Sequence, residues 1–346
     1  MAFRKINVFI VEDSEFFRTY LTRQLEQDGS FAICGTAGTA AEALERVEQA
    51  RPDIITLDLQ LPDVAGFELL TSLTHKVTVP IVVVSSLADE SVQSLELGAA
   101  DCLPKVTSGD MDELRHFVVM LQIKLKMLAG IKTVRPSPVR LVPPDEKPRR
   151  PQLAHQGRPS RQLIAIGASL GGVEATQKLL QSLPPALPGM VIVQHMPPGF
   201  TKAYAQRLDA TTPFTVREVE NGDIIEDGTV LIACGGKHLQ VLKTQSGFRA
   251  QSVAGTPVNG FCPSVDTLFR SVAKAAGPAA LGVILTGIGC DGAANMKEMH
   301  DSGAHTLGQC ESSCIVYGMP AAARKAGAVD EELTLEDIGK RIASYF

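Results

Sequence analysis

Positive charge is in short supply in this chain. Its 33 lysines and arginines are outnumbered by 38 aspartates and glutamates, for a net charge of −5. That balance lacks the electrostatic footprint of a nucleic-acid binder, so no nucleic-acid partner is expected. Cysteine is scattered: seven residues, at 34, 102, 234, 262, 290, 310 and 314, an odd number with no C-x-x-C. Such spacing favours reduced thiols in a cytoplasmic protein over a disulfide framework or a zinc site. No apolar run is long enough for a bilayer, so membrane insertion is not expected. The N-terminal MAFRKINVFIVEDSEF has a short apolar run that ends in Glu12-Asp13 without a small-residue cleavage pattern, which reads as a first strand rather than a leader. The two halves of the chain share no internal repeat.

What is present is an ordinary globular composition and, with 346 residues, room for two cores. Short apolar strands alternate with helical patterns in the first part. The strands are expected at 6–13, 31–37, 53–59, 80–86 and 101–105, and the helices near 15–27, 39–50, 66–74, 89–97 and 111–128. Five βα units of this kind predict a parallel sheet with helices on both faces. From about Gly130 to Arg161 the chain is rich in proline and arginine and poor in periodic apolar residues, which predicts an interdomain linker. The expected organisation is thus a first domain over 1–129, a linker over 130–161 and a second domain over 162–346.

The second domain alternates as well. Strands are expected at 163–168, 190–195, 214–219, 229–234, 238–243, 248–253, 281–287 and 304–309, with helices near 172–182, 201–209, 265–276, 292–302 and 319–326. The hairpin-like stretch over 214–253 suggests antiparallel strands added to a doubly wound parallel sheet.

Acidic and polar residues terminate the apolar strands of the first domain. Glu12 and Asp13 end the first, Asp58 the third and Ser85 the fourth, while Lys105 follows the fifth. In an open parallel sheet these ends converge on one crevice. Clustered carboxylates there call for a hard cation such as Mg²⁺. A carboxylate so held can become an aspartyl phosphate, with Lys105 pairing the phosphoryl charge and Ser85 hydrogen-bonding a phosphoryl oxygen. Singly, each residue has a plainer reading: Asp13 as a cap for the helix from Ser14, Asp58 as a turn residue, Lys105 as a surface charge. VEDS, LDLQLPDVAG, VVVSS and the lysine after the fifth strand resemble a response-regulator receiver domain. The resemblance implies a flavodoxin-like fold, phosphorylation of Asp58 by a histidine kinase, and Mg²⁺ held by Glu12, Asp13 and Asp58. Cys102 stands where receivers usually carry an aromatic switch residue, and Pro104 precedes the lysine where a proline commonly follows it, at Val106.

In the second domain, IAIGASLGGVEA joins a strand to a helix through glycines. It lacks the second glycine of a dinucleotide fingerprint and the Lys-Ser/Thr of a P-loop. Gly167-Ala168-Ser169-Leu170-Gly171 fits the nucleophile elbow G-x-S-x-G, although a plain strand-to-helix turn favours the same residues. Ser169, His195 and Asp291 each stand at or just after a strand end, and together they supply a hydroxyl, a base and an orienting carboxylate. His238, His300 and His305 compete for the base. Asp291 also suits an N-cap for the helix that follows it. The chain order Ser, His, Asp differs from the Ser, Asp, His of α/β-hydrolases.

IGASLGG, QHMPPGFT, PSVDTLF, GVILTGIGCDGAA and YGMPAAA resemble, segment by segment, the chemotaxis protein-glutamate methylesterase domain of CheB-type proteins. The resemblance implies that Ser169 is the nucleophile, His195 the base and Asp291 the orienting carboxylate of an esterase needing no cofactor. Its substrate would be the glutamate γ-methyl esters of methyl-accepting chemoreceptors, and glutamine deamidation is within the same acyl chemistry. Backbone N–H groups of Leu170 and Ile288 would hold the oxyanion. Leu170, Ile288, Cys290, Phe261-Cys262 and Cys310 depart from residues common in the family. They motivate the alternative, a phosphorylation-dependent binding or scaffold protein with a weak or silent esterase domain.

Overall fold

The computed structural model describes residues 4–86, 88–106, 110–129 and 158–346. Most of the expected linker, residues 130–157, lies outside them. The chain divides into two compact units, Met1–Leu141 and Val142–Phe346.

The first unit holds one five-stranded sheet. Its strands are β1 (Ile6–Val11), β2 (Phe31–Ala37), β3 (Ile54–Leu57), β4 (Ile81–Ser85) and β5 (Asp101–Pro104). The spatial order is β2-β1-β3-β4-β5, with every pair parallel. The helices α1 (Glu15–Gln27), α2 (Ala40–Ala50), α3 (Gly66–Lys76), α4 (Ala88–Glu96) and α5 (Met111–Leu128) follow the strands in turn. Val8, Phe9 and Ile10 of β1, Ile54 and Ile55 of β3, and Val82 and Val83 of β4 are fully buried, as expected of strands covered on both faces. Each such aliphatic side chain contributes roughly 1.5–3 kcal/mol by leaving water. Helix α1 buries Phe17, Leu21 and Leu25, spaced four residues apart on one face. Its cap is Ser14, whose hydroxyl accepts from the Phe17 N–H, so Asp13 is spared that task.

In the second unit seven parallel strands form the main sheet. They are β6 (Leu163–Ala168), β7 (Met190–Gln194), β8 (Thr215–Glu218), β10 (Thr229–Ile232), β13 (Ala280–Ile284), β14 (His305–Gln309) and β15 (Glu331–Leu333), in the order β15-β14-β13-β6-β7-β10-β8. A separate antiparallel sheet holds β9 (Ile224–Ile225), β11 (His238–Lys243) and β12 (Phe248–Val253), in the order β11-β12-β9. The hairpin expected over 214–253 is therefore half right. β8 and β10 join the main sheet side by side, because Thr229–Ile232 is buried along its whole length, as in a strand covered on both faces. Only β9, β11 and β12 are antiparallel.

Helices α6 (Gly172–Ser182), α7 (Phe200–Thr211), α8 (Val265–Ala276), α9 (Ala293–Asp301), α10 (Met319–Lys325) and α11 (Leu335–Tyr345) complete the unit. The edge strand β15 and helix α11 were not expected from the sequence. At the end of the expected linker, Ser160 is tied into this unit: its N–H donates to Ile225 O (2.8 Å) and Gly189 N–H donates to its hydroxyl (3.0 Å).

Candidate active sites

The acidic site of the first unit sits where the carboxyl ends of β1, β3, β4 and β5 meet. Asp58 and Glu12 are buried and Asp13 is exposed. Carboxylate oxygens of the three lie within 4.8 Å of one another. Lys105 Nζ reaches Asp58 Oδ2 at 2.6 Å and Glu12 Oε1 at 2.7 Å. Asp58 Oδ1 accepts from the Gln60 N–H at 2.9 Å. Ser85 is fully buried at the end of β4, and its carbonyl accepts from the Lys105 N–H at 2.9 Å. Burial, with the charge of Asp58 beside it, pushes Glu12 up to about 7 even though Lys105 pulls it down. Burial disfavours the Lys105 charge, yet Asp58 and Glu12 hold its ammonium above the usual lysine range. All five residues expected here are brought together.

The three central strands of the second unit carry the other set. Paired positions Ala168↔Gln194 and Gly167↔Ile284 align the carboxyl ends of β6, β7 and β13. The sheet grows outward from β6 on both sides, and such a switch in strand order opens a crevice at the carboxyl ends. Ser169 follows β6 directly, His195 follows β7 directly, and Asp291 lies in the loop after β13. The Ser169 N–H donates to Thr286 O (3.1 Å), while its carbonyl accepts from Gly172 N–H (2.9 Å) and the Gln194 amide (2.7 Å). The Thr286 hydroxyl donates to Leu170 O at 3.0 Å, and the Thr286 N–H donates to Gln309 Oε1 at 2.8 Å. The elbow is thus pinned from both flanks.

Two of its glycines are required. Gly171 has φ 77°, and a Cβ there would stand 2.7 Å from Ile315 Cβ. A Cβ on Gly167 would collide with Val265, the first residue of α8. The absent side chain lets the N-terminus of α8 close on the strand ends.

That close approach explains Asp291. The sequence allowed it to cap its own following helix, α9, but Gly292 occupies that cap without a side-chain bond. The fully buried Asp291 carboxylate turns instead to α8. It accepts from Val265 N–H (2.6 Å), Asp266 N–H (3.3 Å), the Ser264 hydroxyl (2.8 Å) and the Asn259 amide (3.0 Å), and contacts His195 Nε2 at 2.8 Å. Burial alone would raise its pKa, but His195, Asn259 and Ser264 hold the carboxyl below its ordinary range. The remaining ring nitrogen of His195, Nδ1, is buried with no hydrogen-bond partner among the described residues.

The competing histidines are engaged elsewhere. His238 Nε2 meets Thr256 O (2.9 Å) and its Nδ1 accepts from the Ser264 N–H (3.3 Å). His300 contacts Asp330, and His305 contacts Asp330 and Glu331.

Residues 8–119 match the response regulator receiver domain, and residues 164–342 match the family described as CheB methylesterase. Protein-glutamate methylesterase/protein-glutamine glutaminase 1 of Caulobacter vibrioides is 39% identical over 345 residues, covering 98% of this chain and 97% of its own. The chain belongs to the CheB methylesterase family. A second relative, protein-glutamate methylesterase/protein-glutamine glutaminase 1 of Rhizobium johnstonii, is 41% identical over 97% of this chain and 95% of its own. Among solved structures, the CheB methylesterase catalytic domain of Thermotoga maritima matches with TM-score 0.53 and 32% identity, covering 54% of this chain and all of that one. The protein is therefore a response-regulator hydrolase, a receiver joined to a methylesterase domain.

Against that CheB background, the chain-specific residues can be placed. Leu170 is buried beside the serine, Ile288 is half-buried and Cys290 is exposed. Gly287, just before Ile288, comes so near that a Cβ on it would lie 2.8 Å from Ser169 Cβ. Phe261 lies flat on the His195 ring, with centroids 3.7 Å apart and planes 7° from parallel. Asn259, Gln194, Ser264 and Thr286 were not singled out in the sequence. Of these, Asn259 had a local signal in the Asn-Gly turn dipeptide and Ser264 in its place as the cap of α8.

Proposed function

We propose that this protein is a phosphorylation-regulated serine esterase that hydrolyses glutamate γ-methyl esters on methyl-accepting chemoreceptors and deamidates receptor glutamines. The observation that carries the reading is the buried His195–Asp291 pair, brought from the ends of the two strands that flank the elbow serine's own, with one imidazole nitrogen still unpartnered. Ser169 Oγ attacks the ester carbonyl as His195 Nδ1 takes its proton. Asp291, on Nε2, fixes the tautomer and stabilises the imidazolium. The N–H groups of Leu170 and Ile288 hold the oxyanion. Collapse returns the proton to the departing methoxide, so methanol leaves and an acyl-serine remains. Water, deprotonated by His195, then releases glutamate and restores Ser169. With a glutamine substrate the leaving group is ammonia.

On the same reading the receiver spans 1–129 and the catalytic domain 162–346, joined by the Pro/Arg-rich linker over 130–161. Asp58 takes a phosphoryl group from a chemosensory histidine kinase, Lys105 pairs with its charge and Ser85 bonds one of its oxygens. The three-carboxylate cluster of Glu12, Asp13 and Asp58 offers hard oxygen donors and an unbalanced negative charge, which fit Mg²⁺. Bound there, Mg²⁺ would neutralise charge between the carboxylates and the incoming phosphoryl oxygens. No described helix is long and apolar enough to cross a membrane. On this reading the protein acts from the cytoplasm, on the receptor's cytoplasmic part.

Methanol release from methylated receptor membranes tests the reading. Wild type and Ser169→Ala would each be assayed with and without Mg²⁺ and a small phosphodonor. Release that requires Ser169 and rises with phosphodonor supports both halves of the proposal. No release from a wild type phosphorylated at Asp58, across a panel of receptors, would overturn the esterase.

A further inference from the structure

Residues 258–261, Val-Asn-Gly-Phe, form a tight reverse turn beside the second site. The Val258 N–H donates to Phe261 O (3.0 Å) and the Phe261 N–H to Val258 O (2.9 Å). Between them Asn259 has φ 52° and Gly260 φ 84°. Two successive left-handed residues are what a type I′ hairpin turn demands, and Asn-Gly is its preferred pair. Asn259 is one of only two non-glycine residues with positive φ among the described residues.

The turn delivers two side chains to the same pair of groups. The Asn259 amide nitrogen donates to Asp291 Oδ1 (3.0 Å) and to Asp266 Oδ2 (2.7 Å). Phe261 covers the His195 ring face to face. We propose that this turn is a clamp, in which Asn259 and Phe261 are positioning residues for the His195–Asp291 pair. The inference rests on the hydrolytic reading of Ser169, His195 and Asp291.

Each half of the clamp has a physical reason. Asp266 and Asp291 are two buried carboxylates close enough to interact, and burial together with the Asp291 charge raises Asp266. One neutral amide with two N–H donors satisfies both without adding charge. With the Ser264 hydroxyl and the Asp266 N–H it fixes Oδ1, which leaves Oδ2 to His195 Nε2 and the Val265 N–H. Phe261 restricts rotation of an imidazole that has a hydrogen-bonded partner on one nitrogen only. Its π face also favours the imidazolium that forms as Ser169 gives up its proton. The other groups packed around Asp291, namely Ser264 and the N–H donors of Val265 and Asp266, belong to α8 and carry no titratable competitor except Asp266.

The test uses the full chain with p-nitrophenyl acetate as probe ester, together with the rate at which a fluorophosphonate labels Ser169 and the melting temperature. Asn259→Gly is the decisive variant. Glycine suits φ 52° and keeps the turn, so a residue needed only for the turn would tolerate it. A clamp predicts that kcat and the labelling rate both fall about tenfold, with KM within about twofold, at temperatures well below the melting transition of either protein, where any lost stability leaves the chain folded. Phe261→Leu is expected to lower kcat about five- to tenfold, and Phe261→Tyr to restore it to within about twofold. Wild-type kcat in both Asn259→Gly and Phe261→Leu overturns the clamp. So does a loss that follows melting temperature or falls on KM. A wild type no faster than Ser169→Ala overturns the hydrolase reading itself, and the inference with it.

Discussion

The two units place reactive side chains at the carboxyl ends of parallel strands, yet they treat their carboxylates in opposite ways. At the first site two of three clustered carboxylates share one lysine, and Glu12 is pushed up to about 7 by burial and by Asp58. At the second, Asp291 has another buried carboxylate beside it, Asp266, yet it is surrounded by donors from α8, Asn259 and His195 and is held below its ordinary range against the pull of burial. A carboxylate that must attack a phosphoryl group needs an open oxygen and a charge that an incoming cation can balance. A carboxylate that must aim an imidazole needs every lone pair committed. The same sheet-end location serves both, so the balance of donors, rather than the fold, separates a phosphoacceptor from an orienting group.

The largest effects come from separating the two sites. Ser169→Ala should lower esterase turnover by at least about a thousandfold while leaving phosphoryl incorporation from a small phosphodonor intact. Asp58→Asn should abolish that incorporation, together with any response of the methanol-release rate to phosphodonor. Radiolabel incorporation and methanol release on the same preparations check both. A rate in Asp58→Asn that still rises with phosphodonor would break the assignment of the acceptor.

Next is Asp291→Asn, which strikes chemistry and packing together. Turnover should fall by about 10²- to 10⁴-fold, because the imidazole loses its fixed tautomer. Stability should fall as well, by roughly 1–3 kcal/mol, since buried donors of Ser264 and Val265 lose an ionised acceptor. Denaturant titration with parallel kinetics would show whether the two losses coincide. A stable but slow variant would mean that α8 does not depend on this carboxylate.

A smaller, pH-dependent effect has the same source. The folded-state pKa of Asp291 lies below its ordinary value of 3.8, so on acidification the unfolded chain takes up the proton first. Its stabilising contribution is complete above about pH 4 and is lost as pH falls through the folded value. Asp291→Asn should therefore flatten part of the decline in denaturant midpoint as pH falls below about 4. An unchanged acid limb would place the sensitivity elsewhere, for example on Asp330, where Thr306 offsets burial and holds the carboxyl low.

Much of this was legible before any coordinates. Apolar runs that stop at Asp58, Ser169 and His195 mark strand ends, and parallel topology then gathers them. The role of Asp291 was only half legible. Its local sequence suits a cap, but the helix it serves begins 26 residues earlier, at Val265, and is brought there by the missing side chain of Gly167. Periodicity cannot report a contact of that range. β8 and β10 were read as part of a hairpin because β-branched runs separated by turn residues look alike in either orientation; only burial on both faces of β10 distinguishes them. β15, Glu-Glu-Leu, is a short polar edge strand without an apolar pattern. By contrast, α11 carried a visible start: Thr334 accepts from the Asp337 N–H at its cap. The Asn259-Gly260 turn was equally visible, but a turn signal does not say which side chains lie beneath its tip.

The smallest expected effect is the most direct probe of the opening contrast. If the first site stores unbalanced negative charge, removing one charge should stabilise the receiver even as it destroys phosphorylation. In Asp58→Asn, Lys105 keeps Glu12, which it already contacts at 2.7 Å, and the amide oxygen can still accept from the Gln60 N–H. What disappears is the repulsion between two buried carboxylates, offset by one ion pair with a lysine whose side chain is only 15% exposed. We expect a net gain of roughly 1 kcal/mol, or about 3–5 °C in the melting transition of a domain this size, measured near pH 8 with a chelator present. Added Mg²⁺ should narrow the difference, because the wild-type site then has its charge balanced. A lower melting temperature in Asp58→Asn would mean that the Lys105–Asp58 pair outweighs the repulsion. The first site would then be held together by its charges, as the second is, and the two would differ only in which atom is left open to react.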